Sequence, residues 1–449
     1  MTKNRSGAPR IRQPLQTSLP EARGSSQAMA STAPTSELPA PPHFTKRILV
    51  TGGAGFIGSH VVIHLVKHYP QYYIVNLDSL DYCSCVRNVH SAISSCGSEH
   101  ELQTRGDNTE EDEVKREKAT ESEDEDDVCE RLRGSFCEPG DEYISDEFLA
   151  TLPKNYKFIH GNITGADLVG YILKTERIDT IMHFAAQSHV DNSFGNSIDF
   201  SKTNILGTHV LLEAARLYGI KRFIHVSTDE VYGEGRPDSA PMTEDHVLEP
   251  TNPYAATKAG AEFLVKSFHR SFGLPTIITR SNNVYGPHQY PEKLVPKIIN
   301  QILRDRPVTI HGDGMHTRNY LYISDVVAAF DLILHEGKVG EVYNIGGENE
   351  LSNKVVAMNL LEMMKPQLLG AEKAKLITHV QDRPFNDHRY VIDSAKIRRL
   401  GWNEKVTWYE GLRKTVKWFC RYGHRFDNID HALEAHPINF KKTYKVNLP

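Results

Sequence analysis

The sequence has no long apolar run and no excess of positive charge. No stretch of about 18 apolar residues occurs, which argues against a transmembrane helix. No short apolar segment with a small-residue cleavage site lies near the start, so we do not expect secretion. The formal net charge of −5 offers no basic surface for nucleic acid. We therefore expect a cytoplasmic protein that binds neither a membrane nor nucleic acid.

Metal-ligand spacing is also absent. Six cysteines are present, five of them between residues 83 and 137, but no two are spaced as C-x-x-C, and the 22 histidines are scattered. This pattern favours free thiols in a reducing compartment over disulfides or a zinc site. We predict that the protein holds no metal.

Two segments are poor in the large apolar residues that a core needs. Residues 1–44 are rich in Ser, Pro, Ala and Arg, and residues 97–130 are crowded with Asp and Glu. Neither composition buries enough surface to offset the entropy of ordering the chain. The sequence predicts a disordered N-terminal tail over 1–44 and an acidic disordered insertion over 86–150. A transit peptide for the tail and a basic partner for the insertion are the alternatives.

Between these segments lies the pattern of a dinucleotide-binding βαβ unit. A β-branched strand at 47–51 leads into a glycine turn at 52–58, a helical pattern and a second strand that ends at Asp78. In this motif the glycines permit a tight turn, a close approach of the backbone to a pyrophosphate and tight helix packing, while the phosphates sit at the helix N-terminus. Asp78 is placed to accept hydrogen bonds from the adenosine ribose and to repel a 2′-phosphate. We predict NAD as the cofactor.

The strand–helix alternation resumes after the insertion, with predicted strands at 156–163, 180–186 and from 223. Repeated βα units imply a parallel sheet with right-handed crossovers. The predicted fold is therefore α/β, a Rossmann doubly wound parallel sheet that forms an NAD-binding domain over 45–290. Residues 291–449 predict a smaller, mixed, mainly substrate-binding region with a C-terminal tail, because its loops are rich in Arg, Lys, Asn and aromatics that suit an anionic sugar-bearing ligand.

The most informative stretch is 223–233, an apolar strand that runs into Ser-Thr-Asp-Glu-Val-Tyr-Gly. Ligands of open α/β sheets bind at the carboxyl ends of the strands, so Thr228, Asp229 and Glu230 are expected to face one. Adjacent carboxylates in unequal environments can hold opposite protonation states, which suits an elimination that needs both an acid and a base. A solvated turn is the alternative interpretation.

A second constellation follows at the start of a predicted helix. Asn252 and Pro253 suit the cap and the first helical position, which places Tyr254 and Lys258 on one helical face. A lysine ammonium near a phenol lowers the pKa of the phenol. We therefore expect Tyr254 to be a proton acceptor.

Together these features resemble the extended short-chain dehydrogenase/reductase superfamily over residues 46–85 and 153–420. Within it they are most similar to the nucleotide-sugar 4,6-dehydratases, above all those that use dTDP-glucose. The acid pair Asp229 and Glu230 is the most discriminating motif, because related 4-epimerases usually carry small residues there. The supporting matches are 183–191, the Tyr254/Lys258 pair, 285–294 and Arg389-Tyr390.

The resemblance implies a reaction in three steps. Tyr254, aided by Lys258, takes the proton of the glucose 4-hydroxyl while a hydride passes from C4 to NAD⁺. Glu230 then removes the proton from C5, and Asp229 protonates the departing 6-hydroxyl. The hydride finally returns to C6, which gives the 4-keto-6-deoxy sugar. Thr228 is expected to hydrogen-bond the 4-oxygen.

The same matching implies the residues that bind each ligand. Those expected to bind NAD are Gly52, Gly55, Phe56, Ile57, Gly58, Asp78, Asn162, Ile163, Ala185, Ala186, Gln187, Thr203, Tyr254 and Lys258. Those expected to bind the nucleotide-sugar substrate are Ser188, Thr228, Asn283, Glu292, Lys293, Leu294, Arg318, Asn349, Arg383 and Tyr390. Asn162 replaces a usual Asp and is expected to accept from the adenine amino group. His311 replaces a usual Tyr, which leaves dTDP and UDP open.

Two other functions fit part of the pattern. A nucleotide-sugar 4-epimerase or decarboxylase would share NAD and the Tyr254/Lys258 pair but would not need the acid pair. A non-catalytic protein that binds NAD or a sugar nucleotide would need none of the proton chemistry. The resemblance also suggests a homodimer through the helices near 200–218 and 254–270, although their apolar faces could instead pack on the sheet.

Overall fold

A parallel sheet of seven strands organises the protein. The computed structural model describes residues 43–94, 150–235, 239–426 and 428–435. The strands are β1 (Lys46–Thr51), β2 (Tyr72–Asp78), β3 (Tyr156–His160), β4 (Thr180–His183), β5 (Arg222–Val226), β6 (Thr276–Ser281), β7 (Asn283–Tyr285), β8 (Val308–His311), β9 (Thr317–Tyr322), β10 (Val342–Ile345), β11 (Asn349–Ser352) and β12 (Ile377–Val380). The large sheet has the order β10-β6-β5-β4-β1-β2-β3. All its neighbouring strands are parallel.

Helices connect and cover these strands. The α-helices are α1 (Phe56–His68), α2 (Val86–Ile93), α3 (Ala166–Thr175), α4 (Val190–Gly195), α5 (Ser197–Phe200), α6 (Thr208–Leu217), α7 (Pro253–Phe272), α8 (Leu294–Leu303), α9 (Ile323–Glu336), α10 (Asn353–Met364), α11 (Gly370–Lys375), α12 (Ala395–Arg398), α13 (Trp408–Tyr422) and α14 (Ile429–Ala432). A π-helical turn joins α5 to α6, and 3₁₀ turns span Asp229–Tyr232 and Gly423–Arg425.

Layers of side chains on both faces bury the sheet. In β1, Ile48 and Val50 belong to a core cluster on one face, whereas Leu49 between them belongs to a cluster on the other face. This alternation follows from the period of two in a strand, and burial on both faces accounts for the continuous apolar run. The order of connection reverses beside β1, where β4 follows β3 in the chain but pairs with β1. The α/β doubly wound prediction is confirmed, and such a reversal opens a crevice for ligands.

The C-terminal half contributes to the large sheet as well as to smaller ones. Strands β11, β9 and β7 form a mixed three-stranded sheet, and β12 pairs with β8. Strand β10, however, pairs with β6 at the edge of the large sheet. The predicted boundary at residue 290 therefore does not separate the two regions, because the chain returns to complete the Rossmann sheet.

The predicted start of the disordered insertion at residue 86 was wrong. Residues 86–93 form α2, and its Val89 and Ile93 are buried in the same core cluster as Val61 and Leu65 of α1. Two apolar residues four positions apart face one side of a helix, which accounts for this packing. Residues 95–149 of the predicted insertion and residues 1–42 of the predicted tail lie outside the described residues.

Neither a membrane span nor a metal cluster is found where the structure describes the chain. Within those ranges no helix has the length and apolar character to cross a bilayer. No group of three or more His, Cys, Asp or Glu side chains there could hold a metal ion. Cys83 and Cys85 carry free thiols.

Candidate active site

A single cleft at the carboxyl ends of the strands is lined by every residue expected to bind the cofactor. It also contains the acid pair and most of the residues expected to bind the substrate. The predicted residues that line it are Gly52, Gly55, Phe56, Ile57, Gly58, Asp78, Asn162, Ile163, Ala185, Ala186, Gln187, Ser188, Thr203, Thr228, Asp229, Glu230, Tyr254, Lys258, Asn283, Glu292, Lys293 and Leu294.

The glycine turn is shaped by close backbone contacts. Gly52 has a φ of 71°, and a Cβ there would lie 2.6 Å from the backbone nitrogen of Ala185. A Cβ on Gly58 would lie 2.2 Å from the carbonyl oxygen of Gly52. The tight turn and close helix packing predicted at these glycines are therefore present. Gly55 is the N-cap residue of α1 and provides no side-chain hydrogen bond to the first turn. The backbone N–H groups of that turn can therefore bind a phosphate.

Asp78 closes this turn from the end of β2. Its Oδ2 accepts a hydrogen bond from the N–H of Ala54 at 2.9 Å, and its Oδ1 accepts one from the N–H of Leu80 at 2.8 Å. A carboxylate oxygen has a further lone pair, so Asp78 can still accept from ribose hydroxyls. The turn and this carboxylate together fit a dinucleotide.

Asn162 lines the cleft, but its amide oxygen is not placed to accept a hydrogen bond from adenine. Its Oδ1 accepts hydrogen bonds from both the N–H and the hydroxyl of Thr164, each at 2.9 Å. An amide oxygen has two lone pairs, so both are in use. The exposed side chain therefore offers its NH₂ group as a donor instead of the predicted acceptor.

Asp229 of the acid pair is buried and held by side chains from other elements. Only 2% of its surface is exposed. Its Oδ2 accepts from Asn282 Nδ2 at 2.6 Å, and its Oδ1 accepts from the Thr228 hydroxyl at 3.2 Å. Burial, followed by the charge of Glu230, raises the pKa of Asp229 to about 7. A large share of this carboxyl is therefore protonated at neutral pH, which suits a general acid.

Glu230 lies beside Asp229 in a different environment. Its Oε2 accepts from Asn252 Nδ2 at 3.0 Å. Burial raises the pKa of Glu230, while Asn252 and the charges of Arg318 and Arg383 oppose the rise. The two carboxylates thus have separate donors, and the two arginines favour ionisation of Glu230.

Tyr254 and Lys258 lie four positions apart in α7 and both line the cleft, but their electrostatics differ from the prediction. The Lys258 ammonium donates to the carbonyl oxygen of Val226 at 2.6 Å, and burial lowers its pKa to about 8. Burial and the Glu230 carboxylate raise the pKa of Tyr254, although a hydrogen bond with Thr228 lowers it. The expectation that Lys258 dominates and lowers the pKa of Tyr254 is therefore wrong for this geometry.

A buried ion pair ties the acid-pair turn to the helix that carries Tyr254. Arg280 of β6 donates to both carboxylate oxygens of Glu262, at 2.9 and 2.6 Å. The same guanidinium donates to the Tyr232 hydroxyl at 2.7 Å. Tyr232 ends the turn that begins at Asp229, and Glu262 lies one helical turn after Lys258. Arg280 therefore fixes the two halves of the site relative to each other.

Four residues expected to bind the substrate do not line the cleft. Arg318 lies over the ring of Tyr390 at 4.7 Å, and Arg383 lies 3.5 Å from Asp191. Both arginines act on Glu230 electrostatically, so the fold does bring them near the acid pair. Asn349, in contrast, is not among the groups that act on Glu230.

The amide of Asn349 donates to a Glu404 carboxylate oxygen at 3.0 Å. The structure gives Asn349 no contact with the acid pair. The expected substrate role of Asn349 is therefore without geometric support in the described residues.

Sequence reasoning missed the side chains that hold the acid pair. Asn252 was assigned only a capping role, and Asn282 and Arg280 were given none. Asn282 follows β6 at the carboxyl edge of the sheet, and this position was the available signal. Nothing in the sequence indicates that Asn252 reaches back to Glu230, because 22 positions separate the two residues.

Comparison with known proteins places this site in a family. The model of the family described as GDP-mannose 4,6 dehydratase matches residues 141–415. The chain belongs to this family. Among its solved relatives is a dTDP-glucose 4,6-dehydratase from Streptomyces venezuelae crystallised with NAD, which is 34% identical with a TM-score of 0.67. The match covers 85% of this chain and 99% of that one.

Other relatives include enzymes named for two different nucleotide sugars, dTDP-glucose and UDP-glucose. The human dTDP-D-glucose 4,6-dehydratase is 42% identical over 398 residues, which cover 89% of this chain and 97% of the relative. A trifunctional UDP-glucose 4,6-dehydratase, 3,5-epimerase and reductase from Arabidopsis thaliana is 46% identical over 394 residues, which cover 87% of this chain. The chain spans about half the length of these trifunctional plant relatives, of which the match covers 50%.

Proposed function

We propose that the protein is an NAD-dependent hydro-lyase that converts a nucleotide-activated glucose into the 4-keto-6-deoxy sugar. The observation that carries this proposal is the acid pair, a buried Asp229 next to a partly buried Glu230, held by separate donors in the cleft that also contains Tyr254, Lys258 and the glycine turn. An epimerase would share the cofactor turn and Tyr254, but it would have no use for an acid and a base side by side. The same objection applies to a protein that only binds these ligands.

The cofactor fits the turn and the carboxylate that the structure describes. Gly52 and Gly58 leave no room for a side chain, the N-terminus of α1 suits the pyrophosphate, and Asp78 has lone pairs for ribose hydroxyls. When bound, NAD supplies the hydride acceptor at C4 and the hydride donor at C6. Within the chain, a hydrogen bond with Thr228 opposes the rise that burial and Glu230 cause in the pKa of Tyr254.

Side chains of the protein then carry out the proton transfers. Tyr254 accepts the proton of the 4-hydroxyl while Thr228 donates to the 4-oxygen, and Lys258 lies one helical turn after Tyr254 in α7. The 4-keto group acidifies the C5–H bond, and Glu230 takes that proton. The C–O bond at C6 breaks as Asp229 gives its proton to the departing hydroxyl, so one water leaves, and Glu230 returns its proton to C5 as the hydride is added at C6. The order of roles follows the environments, because Asp229 retains a proton near neutral pH and two arginines favour ionised Glu230.

Both dTDP-glucose and UDP-glucose are candidate substrates. Relatives with each specificity match almost the same share of the chain. His311, which the sequence singled out, bonds through Nε2 to the carbonyl oxygen of Ala435 at 2.9 Å. We place the substrate nucleotide near Ser188, Asn283, Glu292, Lys293 and Leu294, which line the cleft beside the acid pair.

We further propose a cytoplasmic homodimer. The free thiols of Cys83 and Cys85 support a reducing compartment. Large apolar side chains are exposed along the π-helical turn, α6 and α7, among them Phe263, which is 59% exposed. A second copy of these helices would cover them. Replacing Phe263 with Glu is expected to halve the mass measured by light scattering, and an unchanged mass would contradict this interface.

The activity is tested by incubating the purified protein with NAD and each sugar nucleotide in turn. A 4-keto-6-deoxy product develops a characteristic absorbance in alkali, so its appearance with either nucleotide supports the proposal and identifies the substrate. A product with unchanged mass, or no product with either nucleotide, would refute it.

A further inference from the structure

Asn252 joins the N-terminus of α7 to the Glu230 carboxylate. Its Oδ1 accepts a hydrogen bond from the N–H of Ala255 at 2.9 Å, which is the capping bond. Its Nδ2 donates to Glu230 Oε2 at 3.0 Å. Since the helix N–H can only donate, it fixes which end of the amide is oxygen, and the NH₂ group must therefore face Glu230. The side chain is 5% exposed, so water offers little competition for either bond.

Asn282 repeats this arrangement at the other carboxylate. Its Oδ1 accepts from the N–H of Gly347 at 3.2 Å, and its Nδ2 donates to Asp229 Oδ2 at 2.6 Å. Asn282 is 4% exposed. Each member of the acid pair thus accepts a hydrogen bond from an Asn side chain. A backbone N–H outside the acid-pair turn sets the orientation of each of these amides.

An N–H donor favours the ionised form of a carboxylate. We propose that Asn252 and Asn282 are positioning residues that hold Glu230 and Asp229 apart and limit how far each retains its proton, so that base and acid work in one pH range. This inference rests on the proposed dehydratase function. It extends that function by assigning the device that tunes the pair.

Other charged and titratable groups also face the pair. Those that act on Glu230 or respond to it are Asp229, Arg318, Arg383, Asp387, Tyr254 and Tyr390. Those around Asp229 are Glu230, Arg318 and Tyr254. The arginines act through space, whereas Asn252 and Asn282 touch the carboxylates. Replacing each Asn should therefore change one carboxylate with the arginines left in place.

Asn252→Asp and Asn282→Asp form the central test. Asp is a favoured helix cap, so α7 should retain its N-terminus in Asn252→Asp. Each variant replaces a donor with an acceptor that repels one member of the pair. Loss of a hydrogen bond to a charged group typically changes a rate or equilibrium constant by about 10- to 100-fold. We therefore expect kcat to fall by about 10- to 100-fold, with little change in KM or in NAD affinity.

The pH profile separates the two positions. Asn252→Asp should raise the pKa of Glu230 and move the acidic limb of kcat/KM upward by about one unit. Asn282→Asp should raise the pKa of Asp229 and move the alkaline limb upward instead. Thr407→Asp, at the cap of α13 outside the cleft, is the matched control and should leave both limbs in place. Limbs that stay in place in both Asn variants would overturn the inference.

A second measurement needs no turnover. The folded pKa of Glu230 already lies above its ordinary value, so the fold is destabilised as pH rises through it. Asn252→Ser keeps a cap but removes the amide donor, and its melting temperature should fall more steeply between pH 5 and pH 8 than that of the wild type. This difference should vanish in a Glu230→Gln background. If the wild type makes no product, the proposed function fails, and the melting slopes alone then decide this inference.

Discussion

The glycine turn and the acid pair line the same cleft but are built in opposite ways. The turn is formed by residues that are contiguous in sequence, and its shape comes from uncharged backbone atoms packed without room for a Cβ at Gly52 or Gly58. The acid pair consists of two carboxyl groups whose partners, Asn252 and Asn282, come from other elements. The turn is therefore sensitive to added volume, and the acid pair is sensitive to lost donors and changed charge.

Glu230→Gln should give the largest effect on the reaction. It removes the proposed base but keeps the volume, so we expect dehydration to fall by about 10²- to 10⁴-fold, while NAD affinity stays close to that of the wild type. Assays of product formation test the acid pair, and titration with NAD tests the glycine turn. Glu213→Gln on the exposed face of α6 is the control. Undiminished dehydration in Glu230→Gln would remove this residue from the mechanism.

Gly58→Ala should disturb the glycine turn and weaken the binding of NAD. Its Cβ would lie 2.2 Å from the Gly52 carbonyl oxygen, which is backbone and cannot swing away. We expect the melting temperature to drop and NAD affinity to fall at least about 10-fold, since overpacking typically costs about 1–3 kcal/mol. Gly370→Ala meets no atom within 4 Å and should leave both quantities unchanged. Normal NAD binding by Gly58→Ala would show that the turn tolerates volume.

Asp229→Asn removes the proposed acid, and its effect on stability should be a gain that depends on pH. The folded pKa of Asp229 is raised from 3.8 to about 7, so its ionisation favours the unfolded chain. The penalty is absent below pH 3.8, grows as pH rises and is complete above about 7. Asn avoids it, so the variant should melt higher than the wild type at pH 8 and lose this advantage toward pH 4.

The gain in the free energy of unfolding is at most about 4 kcal/mol, because each pKa unit corresponds to about 1.4 kcal/mol. Melting curves across that pH range measure it. A constant difference between the variant and the wild type at all pH values would contradict the raised pKa.

The contrast between the two regions also accounts for what the sequence could predict. The strand, the glycine turn and Asp78 belong to one βαβ sequence motif of known spacing, so the sequence pattern was enough to place them. The acid pair was found because a strand end marks the ligand edge of the sheet. The second bond of Asn252, the bond from Asn282 to Asp229 and the rise in the pKa of Tyr254 depend on long-range packing.

The errors have the same origin. Helix α2 was assigned to the acidic insertion because the charge run beyond it dominated the composition, although Val89 and Ile93 pack on α1. Asn349 was carried over by resemblance, and its amide bonds to Glu404, 55 positions away, so its substrate role stays a prediction. Side-chain partners at that separation are set by tertiary structure, which a local pattern does not contain.

The central claim is that one cleft moves a hydride from C4 to C6 while the acid pair eliminates water. The most direct test uses dTDP-glucose and UDP-glucose that carry deuterium at C4, incubated with the protein and NAD and followed by NMR and mass spectrometry. We predict a product that has lost one water and carries the deuterium in its C6 methyl group. Deuterium that stays at C4 in a product of unchanged mass would indicate epimerisation and contradict the account.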